Sequence, residues 1–242
     1  MENGILVGLS AQTALRRQLE VVANNLANMN TTGFKREKML FTPFLPAQTT
    51  AAAMKGGRPV FVEDKATVYD VSPGRLETTE APLDLAIRSD GYFVVETPQG
   101  IRYTRDGQFH VNDQGQLVTA AGNAVLGSGD APITLDPTST QIAVAADGTI
   151  SSESGDVGRL HIVRFADAGS LRGTGGGLWS SEEAPLDAER PDVVQGMLER
   201  SNVEPILELE QMIQVQRAYE QAKQLVERED ERIKKMVQAY AA

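Results

Sequence analysis

From Met212 onward, positions of one kind recur every three or four residues: Met212, Val215, Tyr219, Ala222, Val226, Glu229, Ile233, Met236 and Tyr240, with only Glu229 out of character. The same rhythm runs through Ile5, Gly8, Gln12, Leu15, Leu19, Val22, Leu26 and Met29 near the other end. A mainly apolar stripe at this spacing is the seam that two helices bury against one another in a coiled coil. A helix cannot bury its own seam. Each end of the chain therefore needs a partner helix, from this chain or from a neighbouring copy, and that need points to assembly.

The first helix is expected over residues 3 to about 30. Thr32, Gly33 and Phe34 supply its stop and turn, because glycine takes the left-handed conformation that ends helices. This makes 1–34 the first segment. The last helix is expected within 201–242. Ser201 with Glu204 three residues later fits a capping box, and Pro205 is tolerated in a first turn.

Between the helices the pattern changes. Residues 35–60 read as an extended connector, broken by Pro43, Pro46, the run Thr49 to Ala53 and Gly56-Gly57. Residues 61–180 alternate in short apolar runs, separated by Asp90-Gly91, Gln99-Gly100, Asp106-Gly107, Gln114-Gly115 and Asp147-Gly148. Asp-Gly is favoured in two-residue hairpins, whose central residues need positive φ. The spacing predicts an antiparallel all-β domain in which Ile133 to Leu135 is one strand. Residues 169–177, ending in three glycines, read as a flexible loop, and 181–200 as a connector leading back. The predicted class is α+β: two long terminal helices pairing as a coiled-coil-like layer, with a central antiparallel all-β domain.

Chemistry leaves little trace. The net charge of −10 argues against nucleic acid, whose phosphates need basic patches. Lys35, Arg36 and Lys38 cluster, but Glu37 interrupts them, and a solvated turn is the simpler reading. The absence of cysteine excludes disulfides, thiol nucleophiles and thiolate metal sites. No segment approaches the roughly 20 apolar residues of a membrane span. His110 and His161 lie in strand-like runs, and no cluster has metal-ligand spacing. Arg172 to Gly177 lacks the flanking strand and helix of a phosphate loop. No catalytic, cofactor or metal site is expected, and no small-molecule substrate.

Four asparagines, Asn24, Asn25, Asn28 and Asn30, crowd the end of the first helix. Asn weakens helices and caps them. Alternatively, such amides bond across helix interfaces and fix register. Here the residues carry a resemblance. Ala23 to Lys35 (ANNLANMNTTGFK), Gln195 to Pro205 (QGMLERSNVEP) and Met212 to Lys223 (MIQVQRAYEQAK) resemble the terminal signatures of bacterial flagellar axial proteins, the rod and hook group. Pro82 to Val95 (PLDLAIRSDGYFVV) and Tyr103 to Phe109 (YTRDGQF) are similar to central motifs of its rod members. Ser89 departs, since many relatives have glycine there; only a turn is affected.

The resemblance implies a structural role in the basal-body rod, in the periplasm. It implies export through the flagellar type III apparatus without a cleaved signal peptide, and assembly into a helical tube that transmits torque. The partners implied are copies of itself and other proteins of the proximal and distal rod. The assembly interface is then expected on Leu15, Leu19, Val22, Asn25, Leu26, Asn28 and Met29 of the first helix. On the last it is expected on Ser201, Asn202, Met212, Val215, Arg217, Tyr219, Ala222, Val226, Ile233 and Met236. The alternatives are a distal-rod or other axial paralogue within the same family, or a β-sandwich binding module oligomerised by its helices. Aromatic content of only 5% argues against a sugar platform.

Overall fold

The computed structural model describes residues 2–44, 61–136, 141–153 and 155–241. Residues 45–60, which carry much of the connector expectation, and the side chains of Ile5 and Tyr240 lie outside the described residues. An N-terminal helix, a β-rich centre and a C-terminal helix follow in order, so the chain is α+β. It divides into two compact units. The first comprises 1–27, 37–70 and 204–242; the second comprises 28–36 and 71–203.

In the first unit, helix α1 (Glu2–Ala27) packs on helix α2 (Pro205–Ala241). The two are antiparallel. Asn25, near the end of α1, bonds Glu208 at the start of α2, while Gly8 meets Val226 far along it. A Cβ added at Gly8 would lie 2.5 Å from Val226 Cγ2, so glycine permits the close approach there. The stripe Met212, Val215, Tyr219, Ala222, Val226, Ile233 and Met236 is the sheltered face of α2, while Ile206, Leu209, Ile213 and Leu225 remain exposed. Glu229 shares the sheltered face and pairs with Arg232 at 2.6 Å.

Two expectations are corrected here. α1 ends at Ala27, not near residue 30, and turns occupy 28–33. The poor helix formers Asn28, Asn30, Thr31 and Thr32 stop it before Gly33 is reached. The connector is not structureless either. Strand β1 (Glu37–Phe44) pairs antiparallel with β2 (Phe61–Tyr69), with a shift of register between Leu40 and Phe41. Pro43 is tolerated because a two-stranded ribbon has a free edge on each strand.

The second unit is built on a nine-stranded sheet in which the described pairings are antiparallel. Its central strand, Tyr92–Thr97, pairs with Gly100–Thr104, Ala124–Val125 and Ile162–Arg164. The core gathers Leu85, Ile87, Phe93, Val95, Phe109, Leu117, Val125, Leu135, Ile150 and Ile162. Phe93 and Phe109 meet edge to face, with centroids 5.1 Å apart.

The expected flexible loop is a hairpin, Leu171–Gly175 against Leu178–Ser181. Its three glycines all have positive φ and make the turn. Ile133 to Leu135 is not a strand; Thr134 and Pro132 make isolated bridges only. The returning connector contributes three strands, of which Leu186–Asp187 pairs with Ile162–Arg164. Val193–Gln195 pairs with Leu85–Ile87, and Met197–Glu199 with Leu76–Thr78. The Asp-Gly expectation is also corrected. Asp90, Asp106 and Asp147 do not have positive φ. Asp106 and Asp147 instead accept from the amide two residues on, from Gln108 at 3.1 Å and Thr149 at 3.0 Å. Gly91 and Gly107 also lack positive φ. They serve close approach: a Cβ on Gly107 would lie 1.6 Å from the Leu85 carbonyl oxygen.

Candidate assembly surface and buried charge cluster

Most seam residues of α1 and α2 are at least partly sheltered from solvent. Val22 and Val215 are buried; Leu15, Leu19, Leu26, Met212, Tyr219, Ala222, Val226, Ile233 and Met236 are half-buried. Arg217 and Met29 are exposed, and Asn28 is half-buried.

Asn25 departs from its expected role across subunits. Its Oδ1 accepts from the Glu37 amide at 2.8 Å, and its Nδ2 donates to the Glu37 carbonyl at 2.9 Å. The side chain thus copies a strand's hydrogen-bond pair and holds the start of β1. Nδ2 also reaches Glu208 Oε2 at 3.3 Å. The amide is satisfied inside one protomer.

Thr32, Gly33 and Phe34 belong to the second unit. Gly33 has φ 65°, and a Cβ there would sit 2.5 Å from the backbone at Arg105 and Asp106. Glycine is needed for both reasons. Ser201 does not form the capping box: its Oγ accepts from the Val203 amide at 3.2 Å, and α2 begins only at Pro205. Asn202 Oδ1 accepts from the Arg36 amide at 2.7 Å, and its Nδ2 donates to the Ser72 carbonyl at 3.1 Å.

These residues surround a cluster that sequence reasoning missed. Lys35, read as part of a solvated turn, is 1% exposed, as is the Glu199 side chain. Lys35 Nζ donates to Glu199 Oε1 at 2.5 Å and to the Ser72 carbonyl at 2.8 Å. Arg105, 6% exposed, donates to Glu199 Oε2 at 3.3 Å and to the carbonyls of Ile87 and Ser89. Its guanidinium carbon lies 5.2 Å from the Tyr92 ring centroid. Burial this deep demands both the ion pairs and the carbonyls. No rule of spacing could reveal the partnership, since Lys35 and Glu199 stand 164 residues apart. The one available signal was that Lys35, Arg105 and Glu199 each lie within a quoted motif.

Nearby, Thr32 Oγ1 donates to Asp106 Oδ1 at 2.6 Å. Burial pushes the Asp106 carboxyl above its ordinary value, and the charge of Asp84 adds to this against the hydrogen bonds from Thr32 and Gln108. A carboxyl raised on folding holds its proton longer in the folded state. Stability is therefore greatest below the unfolded value, near pH 4, and falls as pH rises through the raised folded value. Asp106→Asn keeps a carbonyl acceptor and removes the charge. The variant should gain stability relative to the parent between pH 3 and pH 7, read as diverging urea midpoints; a constant difference would contradict this.

Among the described residues, no group of three or more His, Asp or Glu is placed to hold a metal ion, and no helix is long and apolar enough to cross a membrane. His161 faces Asp130 at 2.9 Å and Asp187 at 3.0 Å.

Three family profiles match in chain order. They are the flagella basal body rod protein over residues 5–35, the flagellar hook protein FlgE/F/G D1 domain over 86–152, and the flagellar basal body rod FlgEFG protein C-terminal over 194–239. The flagellar basal-body rod protein FlgF of Caulobacter vibrioides is 40% identical over 232 residues, 94% of this chain and 93% of the relative. The chain belongs to the flagellar basal-body rod family. FlgF of Salmonella typhimurium is 33% identical, covering 96% of this chain and 95% of its own. The rod protein FlgG of Bacillus subtilis is 30% identical, covering 98% of both. The chain is thus a FlgF-type rod protein, a structural subunit of the flagellar basal body. Each profile covers one member of the buried cluster or a neighbour in sequence: Lys35 in the first, Arg105 in the second and Glu199 in the third.

Proposed function

We propose that this rod protein is a subunit of the proximal rod, and that its paired helices lie against those of neighbouring copies as a coiled-coil-like inner layer. One observation carries the reading. Once α1 and α2 have sheltered one another, an apolar stripe of Ile206, Leu209 and Ile213 is still exposed on α2, and Leu6, Leu9 and Leu225 are exposed besides. Ile206 is 80% exposed, an unusual position for a large aliphatic side chain unless a further surface covers it. Neighbouring subunits and other rod proteins supply that surface. The subunit reaches the periplasm through the flagellar type III apparatus, keeps its N-terminus, and transmits torque without catalysis or cofactor. The higher identity to FlgF than to FlgG favours the proximal over the distal rod.

Two substitutions separate folding from assembly. Val226→Asp places a carboxylate on the sheltered face and should lower monomer stability by roughly 2–4 kcal/mol. Ile213→Glu lies on the outer face and should leave the urea midpoint of the monomer within about 0.5 kcal/mol of the parent. It should nevertheless be missing from purified basal bodies. Normal incorporation of the Ile213→Glu protein would end the proposal that this stripe is the interface.

A further inference from the structure

Three segments of the second unit adjoin the first unit in sequence, and the second unit holds these three passages together. The first is 28–36, leaving α1. The second is 71–75, following β2. The third is 199–203, leading to α2. Each pair is joined directly. Between the first and third, the Gly33 amide donates to the Glu199 carbonyl at 2.8 Å, and the Arg36 amide to Asn202 Oδ1 at 2.7 Å. Between the second and third, the Gly74 amide donates to Glu199 Oε1 at 2.9 Å, and the Arg200 amide to the Arg75 carbonyl at 2.8 Å. Between the first and second, Lys35 Nζ donates to the Ser72 carbonyl at 2.8 Å.

Two groups belong to all three passages. Lys35 Nζ, from the first, reaches both the second and the third; Glu199 Oε1, from the third, accepts from both the first and the second. Both side chains are almost wholly removed from solvent. If the first passage withdraws, a buried carboxylate loses an ion pair. If the third withdraws, Lys35 is left as a buried cation without the Glu199 carboxylate. Half-open states therefore hold an underpaired charge away from water, which is strongly unfavourable. The backbone adds a second constraint: a Cβ on Gly74 would lie 1.8 Å from the Arg200 carbonyl oxygen, so the second and third passages fit with no slack.

We infer that the three passages open and close as one cooperative latch, closed on the Glu199 carboxylate, so that neither terminal arm detaches alone. Local opening in proteins commonly occurs in such contiguous units, below the free energy of global unfolding. The latch deepens the assembly reading without depending on it, because it is a property of the single chain.

Native-state hydrogen exchange on the full chain tests this. Lys35→Met removes the charge from the first passage and touches neither end of the Arg200–Arg75 bond. Exchange at the Arg200 amide should nevertheless rise about tenfold or more, by the same factor as at Gly33 and Gly74. The core amides of Val94 and Leu126, which bond His161 and Val94 carbonyls, should still exchange more slowly than the three passages, because they open only on global unfolding. Asn202→Ala perturbs the third passage more mildly and should accelerate Gly33 and Gly74 together. Acceleration confined to the substituted passage in either variant would overturn the latch. So would passage amides that exchange as slowly as the core amides in the parent chain, which would make the passages part of global unfolding.

Discussion

Alanine at position 107 is expected to abolish the folded state of the second unit. The added methyl carbon would stand 1.6 Å from the Leu85 carbonyl oxygen and 2.7 Å from its carbon. Both are backbone atoms, so no rotamer change relieves the overlap. The strands must part, yet the Leu85 amide donates to the Gly107 carbonyl at 3.0 Å, and Leu85 and Phe109 are core residues. Separation would break that bond and open the best-packed part of the unit. The cost should exceed about 4 kcal/mol, the range of the most severe single substitutions, against a typical total of about 5–15 kcal/mol. Near-ultraviolet circular dichroism of the Gly107→Ala protein should show no fixed tertiary signal. Gly122→Ala is the control. Gly122 has φ 83°, but nothing lies within 4 Å of the added carbon, so only backbone strain of about 1–2 kcal/mol is expected. A Gly107→Ala protein as stable as the Gly122→Ala protein would refute the argument from close approach.

Glu199→Gln should be nearly as severe. The amide fills the same space but leaves Lys35 and Arg105 without their shared counter-charge. Removing one partner of a buried ion pair typically costs about 3–5 kcal/mol, because the remaining charge stays desolvated. Here two cations lose that carboxylate, Lys35 beside the Ser72 carbonyl and Arg105 beside those of Ile87 and Ser89. Glu199→Asp should not rescue fully, since the shorter side chain cannot reach both cations at once. Replacing the whole group by Lys35→Met, Arg105→Met and Glu199→Leu should be less harmful than Glu199→Gln alone, because uncharged residues need no buried counter-charge. Urea denaturation of the three proteins decides it. A triple variant weaker than Glu199→Gln would show that the hydrogen bonds matter more than the charge balance.

The helices and much of the sheet were legible because each rests on local periodicity. The stripe from Met212 to Met236 is the sheltered side of α2, and the centre is the antiparallel β structure that the short apolar runs predict. Features set by distant neighbours were not legible. β1 contains Pro43, which local rules count against a strand; its partner β2 overrides them. Asp106-Gly107 looked like a hairpin turn, but its glycine is required by the Leu85 backbone some 20 residues earlier in the chain, which no turn rule sees. Most of the seam residues on both helices are partly sheltered in the single chain, while Met29 and Arg217 are exposed. Periodicity cannot say whether the shelter is the same chain or a neighbour, and the outer stripe from Ile206 to Ile213 was overlooked for that reason. Charged residues misled most: Lys35 reads as solvent-facing until a carboxylate 164 residues away is placed beside it.

The arithmetic of the buried cluster bears on how such a chain can diverge. An isolated ion pair can be reversed in two substitutions, with one weakened intermediate. Two cations on one carboxylate offer no such route. Reversing Lys35 and Glu199 would set a new lysine beside Arg105, and reversing Arg105 as well would bring two carboxylates together around a single amine. Each path to a different arrangement runs through several successive states with an unbalanced charge out of contact with water. Positions 35, 105 and 199 should therefore drift together or not at all, and correlated pairwise exchange at these sites should be rare among related chains.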